Sequence, residues 1–295
     1  MRVAFAVSDS MGVRSMATMI ESSSVNIFID PGVALGPRRY GLPPAPQEEE
    51  ALSRYATEIE RAMEKCDVAI ISHYHYDHHT PIREMHEGKK LYVKHPTEKI
   101  NRSQRERAAF FLEEIDDGAE VFFADGKSFD IGGVGVEFSP PVPHGPPGTR
   151  LGYVIMTYVE DNNARGGNGE IRRLIHTSDV EGFLDDREVE WITERDPEVV
   201  LADGPPTYFL GYRFSEKNLE ISQKNTGRLL DETSATIVLD HHLLRDLRYR
   251  EMFRDAYSTG RLVTFAEYLG KENNLLEAHR KELWEQVKKE KKGRR

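Results

Sequence analysis

Short apolar runs predict the strands of this chain. The run of residues 25–29 is ended by the turn Asp30-Pro31-Gly32. Residues 67–72 are almost continuously apolar, which is typical of a strand covered on both faces. Together with these two, strands are predicted at 2–8, 91–93, 198–202 and 235–239, with hairpins inside 120–138 and between 152–159 and 171–177 around the polar turn 161–169.

Between the strands, apolar residues recur at the spacing of helices that bury one face. The clearest stripe runs from Leu52 through Ile59 to Cys66. Other helices are predicted from their start signals or spacing. They are a short one with Thr80 as its N-cap and Pro81 as its first residue, one opened by a capping box of Ser103 and Glu106, then 186–195, 217–231 and two in the region of about 244–292.

The order of these elements indicates an α/β fold with mixed sheets in layers, because strands come in hairpins in some places and alternate with helices in others. We expect one domain over residues 1–295 that ends in a basic tail, 288–295. The long loop of residues 33–47 is rich in proline and glycine and carries Arg38 and Arg39 near its middle. A loop of this length indicates either a linker or part of a site.

The net charge of the chain indicates which kinds of molecule it is not expected to bind. The 295 residues include 50 acids and 40 Lys and Arg, a net charge of −10, and the tail alone carries +5, which leaves −15 for the rest. Such an acidic body is a poor partner for a polyphosphate backbone, so we do not expect nucleic acid binding. A charged fraction of 31% beside only four Gln favours a thermophilic source.

The number of cysteines and the lengths of the apolar runs exclude several classes of protein. The single cysteine, Cys66, cannot form a disulfide framework or a cysteine-rich zinc module. No stretch reaches the roughly 18 apolar residues of a membrane span. The N-terminal residues predict a strand rather than a signal peptide, so we expect a soluble, cytoplasmic protein.

Candidate chemistry is concentrated directly after the strand of residues 67–72. Four histidines and one aspartate lie within seven residues, His73-Tyr74-His75-Tyr76-Asp77-His78-His79. Imidazole and carboxylate are good ligands for zinc, iron and manganese. A loop that aims His73 and His75 at one ion, with Asp77 and His78 turned toward a neighbouring one, would hold two metals.

This segment matches HxHxDH, the motif of the metallo-β-lactamase superfamily, and the chain resembles that superfamily over about residues 3–242. Its other motifs follow in the same order: the turn at Asp30, a single His144, Asp179 at a strand end, and a last histidine after the strand 235–239. The amino-acid sequences of several segments also resemble one uncharacterised archaeal branch, protein family 0282, of predicted metal-dependent hydrolases.

The resemblance implies an αββα sandwich of two mixed sheets with the metal site at their edge. It also implies two divalent metal ions, with zinc expected and iron or manganese as alternatives. One ion would be held by His73, His75 and His144, and the other by Asp77, His78 and a histidine at 241 or 242, with Asp179 bridging both. A hydroxide between the ions would attack the substrate, and Asp77 could orient that water or pass its proton.

Several residues admit both a structural and a functional interpretation. His241 directly follows Asp240 at the end of a strand and is favoured over His242 as the metal ligand. His242 would then contact either a metal ligand or the substrate. His79 is expected outside the ligand set, and His176 in the core. We expect His86 and His279, on predicted helices, to be exposed.

Outside the histidines, the same two interpretations apply to Asp30 and Asp203. In the family, the acid at Asp30 supports a metal-binding histidine, and that at Asp203 lies near the metals. Arg38 and Arg39 are either solvated or grip a phosphate or carboxylate of the substrate.

The leading functional hypothesis is a dinuclear metal-dependent hydrolase of a small anionic ester, lactone or phosphodiester. A nuclease of the same fold is the alternative. Nucleases with this motif usually add an RNA-gripping module, and the 38 positions between Asp203 and His241 are too few for an inserted domain. A non-catalytic metal-binding scaffold is the third hypothesis.

Overall fold

The computed structural model describes residues 1–22, 24–164 and 170–293. The strands in these residues are β1 (Arg2–Ala6), β2 (Thr18–Glu21), β3 (Asn26–Ile29), β4 (Val68–Ile71), β5 (Lys90–Val93), β6 (Glu120–Phe123), β7 (Ser128–Ile131), β8 (Val134–Phe138), β9 (Val142–Pro143), β10 (Tyr153–Val154), β11 (Thr157–Asp161), β12 (Arg173–His176), β13 (Val199–Asp203), β14 (Thr236–Asp240) and β15 (Leu262–Val263).

The α-helices in the same ranges are α1 (Pro46–Met63), α2 (Arg83–His86), α3 (Arg102–Ile115), α4 (Asp186–Thr193), α5 (Glu216–Glu232), α6 (Tyr249–Met252), α7 (Arg254–Ser258), α8 (Phe265–Tyr268) and α9 (Arg280–Gly293). Short 3₁₀ helices span Asp9–Met11, Thr207–Phe209 and His241–Arg245. None of the helices in the described ranges is long and apolar enough to cross a membrane.

Two mixed sheets form the centre of the molecule. The first has the order β1-β2-β3-β4-β5-β6, and the second has the order β15-β14-β13-β12-β11-β8-β7. In the first sheet β3 to β6 are parallel, and in the second β12 to β15 are parallel, while the remaining pairs are antiparallel. The α/β fold with two mixed sheets is therefore confirmed.

Strand β13 illustrates how the layers are built. Its side chains alternate between faces: Val199 and Leu201 belong to the core that joins the two sheets, whereas Val200 and Ala202 belong to the core beneath α4 and α5. Because successive side chains of a strand point to opposite faces, a continuous apolar run is buried on both sides. The buried residues of α1 and α3 pack in the same core as the strands of the first sheet.

Three local predictions were wrong. Helix α3 is capped by Asn101, whose side chain accepts from the Gln104 amide at 2.8 Å, so Ser103 lies inside the first turn. Helix α2 begins at Arg83 rather than near Thr80. Residues 120–138 do not form one meander, since β6 pairs in parallel with β5 in the first sheet and only β7 and β8 form a hairpin.

Other predictions differ from the structure in extent or fall outside it. Strand β2 has no counterpart among the predicted elements. The C-terminal region contains short helices and β15 in addition to α9. Residues 165–169 of the predicted turn 161–169 and the last two residues of the basic tail lie outside the described residues.

His86 is fully buried rather than exposed, whereas His279 is exposed as expected. The Nε2 of His86 lies 2.9 Å from the Thr80 carbonyl oxygen, and its ring meets the Phe111 ring edge to face. Burial is the main cause that lowers the pKa of His86 below its ordinary value of 6.5. The folded protein therefore holds this imidazole neutral where the unfolded chain would protonate it.

The stability contribution of His86 should consequently depend on pH. It should be complete above pH 6.5 and decline below it, by at most about 1.4 kcal/mol per pH unit, because the unfolded state binds more protons there. We expect the difference in unfolding free energy between wild type and His86→Gln to shrink between pH 7.5 and pH 5. Guanidinium unfolding with chelator present measures it, and parallel curves for the two proteins would contradict the expectation.

Candidate metal centre

The parallel strands of both sheets end at the same edge, and the candidate residues follow their carboxyl ends. Asp30 follows β3, His73 to His79 follow β4, and Asp179 lies three residues after β12. In the second sheet Asp203 and Asp240 are direct partners across β13 and β14. His241 is the next residue along the chain.

The segment after β4 is anchored by Tyr74, which is completely buried. Its hydroxyl donates to the Lys94 carbonyl at 2.5 Å, and its backbone amide donates to Oε1 of Gln104 at 3.1 Å. The amides of His78 and His79 both donate to the His75 carbonyl, which closes a turn. With Tyr74 buried on one side, His73 and His75 are left to face the edge of the sheets.

Asp30 connects the ends of β3 and β4 to His78. Its Oδ1 accepts from the Ser72 amide at 2.8 Å, and its Oδ2 accepts from the Ser72 hydroxyl at 2.5 Å and lies 2.9 Å from His78 Nδ1. Burial alone would raise the pKa of Asp30, but the hydrogen bond and charge of His78 outweigh it and lower that pKa. Because a carboxylate only accepts, Nδ1 of His78 donates to Asp30, and Nε2 is the nitrogen that faces the cluster.

Asp179 is buried among four imidazoles, and its two oxygens face different pairs of rings. Its Oδ2 lies 2.9 Å from His144 Nε2 and 3.5 Å from His73 Nε2. Its Oδ1 lies 2.9 Å from His78 Nε2 and 3.5 Å from His241 Nε2. Asp179 thus lies between two groups of side chains.

Each group contains enough nitrogen and oxygen atoms to hold an ion. The ligand atoms of His73, His75, His144 and Asp179 all lie within 4.8 Å of one another, and so do those of Asp77, His78 and His241. A third, overlapping set contains Asp179, His241 and His242. Every residue predicted as a ligand therefore lies in this cluster.

The unpaired atoms of the cluster fit a cation. His78 Nε2 and Asp179 Oδ1 are buried without a hydrogen-bond partner among the described residues, although they are only 2.9 Å apart. Burial lowers the pKa of His78, but the negative charges of Asp179 and Asp30 outweigh it and raise that pKa well above its ordinary value. Without a metal, a proton on Nε2 would pair with Asp179, and a bound cation would take the place of that proton. Two ligands about 2.1 Å from one metal ion lie roughly 3 to 3.4 Å apart, close to the observed 2.9–3.7 Å separations.

The two adjacent histidines are distinguished by their neighbours. His241 is completely buried, and its Nε2 lies 3.7 Å from Asp77 Oδ2 and 3.5 Å from Asp179 Oδ1. Nδ1 of His242 lies 3.0 Å from both carboxylate oxygens of Asp203. His241 therefore lies between the two acids of the cluster, and His242 is tied to Asp203.

The backbone is strained at several of these positions. Asp30, Ser178, Glu181 and His241 all have φ between +51° and +57°, a region that residues other than glycine rarely occupy. Such conformations persist only where the surrounding contacts impose them, and they concentrate at functional sites.

Sequence reasoning missed four residues at this edge: Asp9, Ser178, Glu181 and Arg245. Asp9 lies 2.7 Å from His241 Nδ1, and the Ser178 hydroxyl lies 3.2 Å from His73 Nδ1. Glu181 is buried, which raises its pKa to about 6. The polar run Ser8-Asp9-Ser10 directly after a strand was the available signal for Asp9.

Arg38 and Arg39 differ in their surroundings. Arg38 is exposed and donates to the Gly41 carbonyl at 3.3 Å. Arg39 is half-buried, donates to the Arg245 carbonyl at 2.8 Å, and lies over the ring of Tyr208 at 4.6 Å. Within the described residues, neither forms a hydrogen bond or ion pair with the cluster.

A two-sheet sandwich with a His and Asp cluster at one edge defines the metallo-β-lactamase class of proteins. A family model described as the Beta-lactamase superfamily domain matches residues 25–243. The chain therefore belongs to the β-lactamase superfamily and, within it, to the family of UPF0282 proteins, as the following relatives show.

The UPF0282 protein of Methanopyrus kandleri is 47% identical over 93% of this chain and 96% of its own length. That of Thermococcus onnurineus is 47% identical over 96% of this chain and 95% of its own. These archaeal relatives are thermophilic, in agreement with the composition.

Among solved structures, Zn²⁺-bound PqqB from Methylobacterium extorquens is similar with a TM-score of 0.49 and 10% identity, over 89% of this chain and 88% of that one. The family assignment does not depend on this likeness.

Replacing Asp30 should destabilise the metal-free protein. Asp30→Ala leaves the Ser72 amide and His78 Nδ1 buried without an acceptor, so we expect a loss of about 2–4 kcal/mol in unfolding free energy. Asp67→Ala is a matched control, because Asp67 is an exposed aspartate just before the same strand β4, and it should change stability by less than about 0.5 kcal/mol. Guanidinium unfolding with chelator measures both, and equal effects would contradict the proposed support of His78.

Proposed function

We propose that this protein is a metal-dependent hydrolase with two divalent metal ions at the edge of its sheets. The observation that carries the proposal is the orientation of Asp179. One of its oxygens faces His73 and His144, and the other faces His78 and His241. A buried carboxylate shared in this way is suited to bridging two ions.

One ion would be held by His73, His75 and His144, and the other by Asp77, His78 and His241. Neutral imidazole and carboxylate ligands without thiolate favour zinc, with iron or manganese as alternatives. Burial lowers the pKa of His73 to about 4, so this ring is neutral at pH 7 and its lone pair is available. When bound, the ions would supply a water of lowered pKa and stabilise negative charge on the substrate.

Asp77 is the candidate for handling the proton of the attacking water. Its side chain is 17% exposed, more than those of His78, His241 and Asp179 around it. Burial would raise its pKa, but His78 and His241 lower it well below the usual range, so the carboxylate is ionised at neutral pH. An ionised acceptor at the open side of the site can orient a water and pass its proton to the departing oxygen as the scissile bond breaks.

The substrate is proposed to be a small anionic ester, lactone or phosphodiester. Arg39 supports this proposal, because its Nε is buried without a hydrogen-bond partner in the part of the chain that the structure describes. A chain of contacts connects it to the cluster: Arg39 bonds to Arg245, and Arg245 Nη2 lies 3.2 Å from His241 Nε2. A guanidinium in this position can grip a phosphate or carboxylate beside the scissile bond.

Metal content and activity test the proposed function. The purified protein should hold close to two metal ions per chain and hydrolyse at least one member of a panel of esters, lactones and phosphodiesters, with chelator abolishing the activity. A metal-free protein that keeps full activity would overturn the proposal.

The bridging role of Asp179 has its own test. Asp179→Ala should lose activity and at least one ion, because both ions share this carboxylate. Asp161→Ala is the control, since Asp161 is also buried and ends the antiparallel strand β11 of the same sheet, and it should keep both ions. Elemental analysis after dialysis measures the content, and an Asp179→Ala protein with wild-type metal content would remove Asp179 from the centre.

Arg38 and Arg39 allow a paired test of substrate charge. Arg39→Ala should lower kcat/KM for an anionic substrate roughly 10- to 100-fold, the effect of one charge-assisted hydrogen bond. Arg38→Ala should change it less than about threefold, since that side chain is solvated, and metal content should be unchanged in both. If Arg39→Ala turns over the anionic substrate as well as wild type does, the loop is structural.

A further inference from the structure

The turn that follows β1 meets the last histidine of the cluster. Asp9 begins the 3₁₀ turn Asp9–Met11, and its Oδ2 lies 2.7 Å from Nδ1 of His241, 232 positions away along the chain. Both side chains are buried. The contact is thus shielded from water, which would otherwise compete for the carboxylate.

Both oxygens of Asp9 are used. While Oδ2 faces His241, Oδ1 accepts from Nε of Arg245 at 2.7 Å. Arg245 is 2% exposed and also donates from Nη1 to the Tyr208 hydroxyl at 3.3 Å. The buried carboxylate therefore has a fixed cation on one side and the imidazole on the other, which restricts its rotation.

The turn itself is held by Asp240. The Oδ1 of Asp240 accepts from the Ser8 hydroxyl at 2.7 Å, the Ser10 amide at 3.1 Å and the His241 amide at 2.7 Å. Its Oδ2 accepts from the Phe265 amide at 2.8 Å. A single buried carboxylate thus joins the Asp9 turn, His241 and the start of α8.

Asp9 and Arg245 both lie outside residues 25–243, the part of the chain that the superfamily model matches. His241 lies just inside that part. The partners of this histidine are therefore supplied by segments that extend beyond the superfamily domain.

We propose that Asp9 is a positioning residue for His241, and that it keeps the proton on Nδ1 and the lone pair of Nε2 directed into the cluster. The inference rests on the proposed metal centre. A carboxylate only accepts, so Nδ1 must donate to it. In the metal-free protein Arg245 Nη2, at 3.2 Å, is a donor to that lone pair. An ion held by Nε2 would replace this contact, while Nε of Arg245 would remain free to donate to Asp9.

Zinc titration of the metal-free protein against a chromophoric chelator tests the role. Loss of such a partner typically weakens metal affinity 10- to 100-fold. We expect Asp9→Ala to weaken the ion held by Asp77, His78 and His241 by roughly that factor and to leave the other ion unchanged within about threefold. Asp9→Asn keeps an oxygen that can accept from Nδ1, so its effect should be smaller.

The control is Glu48→Gln, which alters a different buried ion pair. Glu48 binds Arg280 at 2.7 and 2.8 Å, and neither side chain contacts the cluster among the described residues. It should reduce stability without changing either zinc affinity. If Glu48→Gln weakens the same ion as Asp9→Ala does, the effect is one of general stability and the proposal fails.

A second measurement needs no metal. In ¹⁵N NMR spectra of the metal-free protein, His241 should carry its proton on Nδ1 in wild type and Asp9→Asn, and on Nε2 in a sizeable fraction of Asp9→Ala. If Asp9→Ala does not fold, the zinc affinity of Asp9→Asn decides, and an affinity for the second ion equal to that of wild type would then overturn the role of Asp9. An unchanged tautomer and unchanged affinity in Asp9→Ala would overturn the role of Asp9, whereas a wild type that binds no second ion would overturn the metal centre instead.

Discussion

Asp179 imposes the main constraint on this structure, because its carboxylate is buried where four imidazoles converge. His78 Nε2 and Asp179 Oδ1 face each other at 2.9 Å in the interior, and a buried carboxylate in this position requires positive charge beside it, from a proton on His78 or from a cation. The chain maintains this contact by fixing each participant from behind. Asp30 holds His78, Asp9 holds His241, and the edge of the sandwich is thereby preorganised for positive charge.

Much of the fold and of this cluster could be predicted from the sequence. Parallel strands that are buried on both faces read as continuous apolar runs, and their carboxyl ends meet at one edge. Short motifs then place the candidate ligands at those ends, with His73 to His78 after β4, Asp179 after β12, and His241 after β14. The HxHxDH spacing carries its information within six residues, so no long-range contact was needed to recognise it.

The parts that sequence reasoning missed depend on contacts between distant segments. Asp9 is paired with a residue 232 positions away, and nothing near Asp9 in the chain indicates that partner. His86 lies on a short helix whose packing against Phe111 decides its burial, although its local sequence is polar. The start of α3 was misplaced for a different reason, since Asn101 and Ser103 are both good capping residues and only the structure selects between them.

The C-terminal segment joins the candidate metal centre to the loop that carries Arg39. Glu277 binds Arg14 through two contacts of 2.6 and 2.7 Å, and α8 and the residues after it bond to the Asp9 turn through Ser10. The same segment holds the loop of residues 33–47, because the Ala278 carbonyl accepts from the Tyr40 hydroxyl at 3.1 Å. One segment therefore fixes both the partner of His241 and the loop with the candidate anion-binding arginine. A shift of this segment would move both together, so we expect the proposed second ion and the proposed substrate grip to depend on each other in this protein.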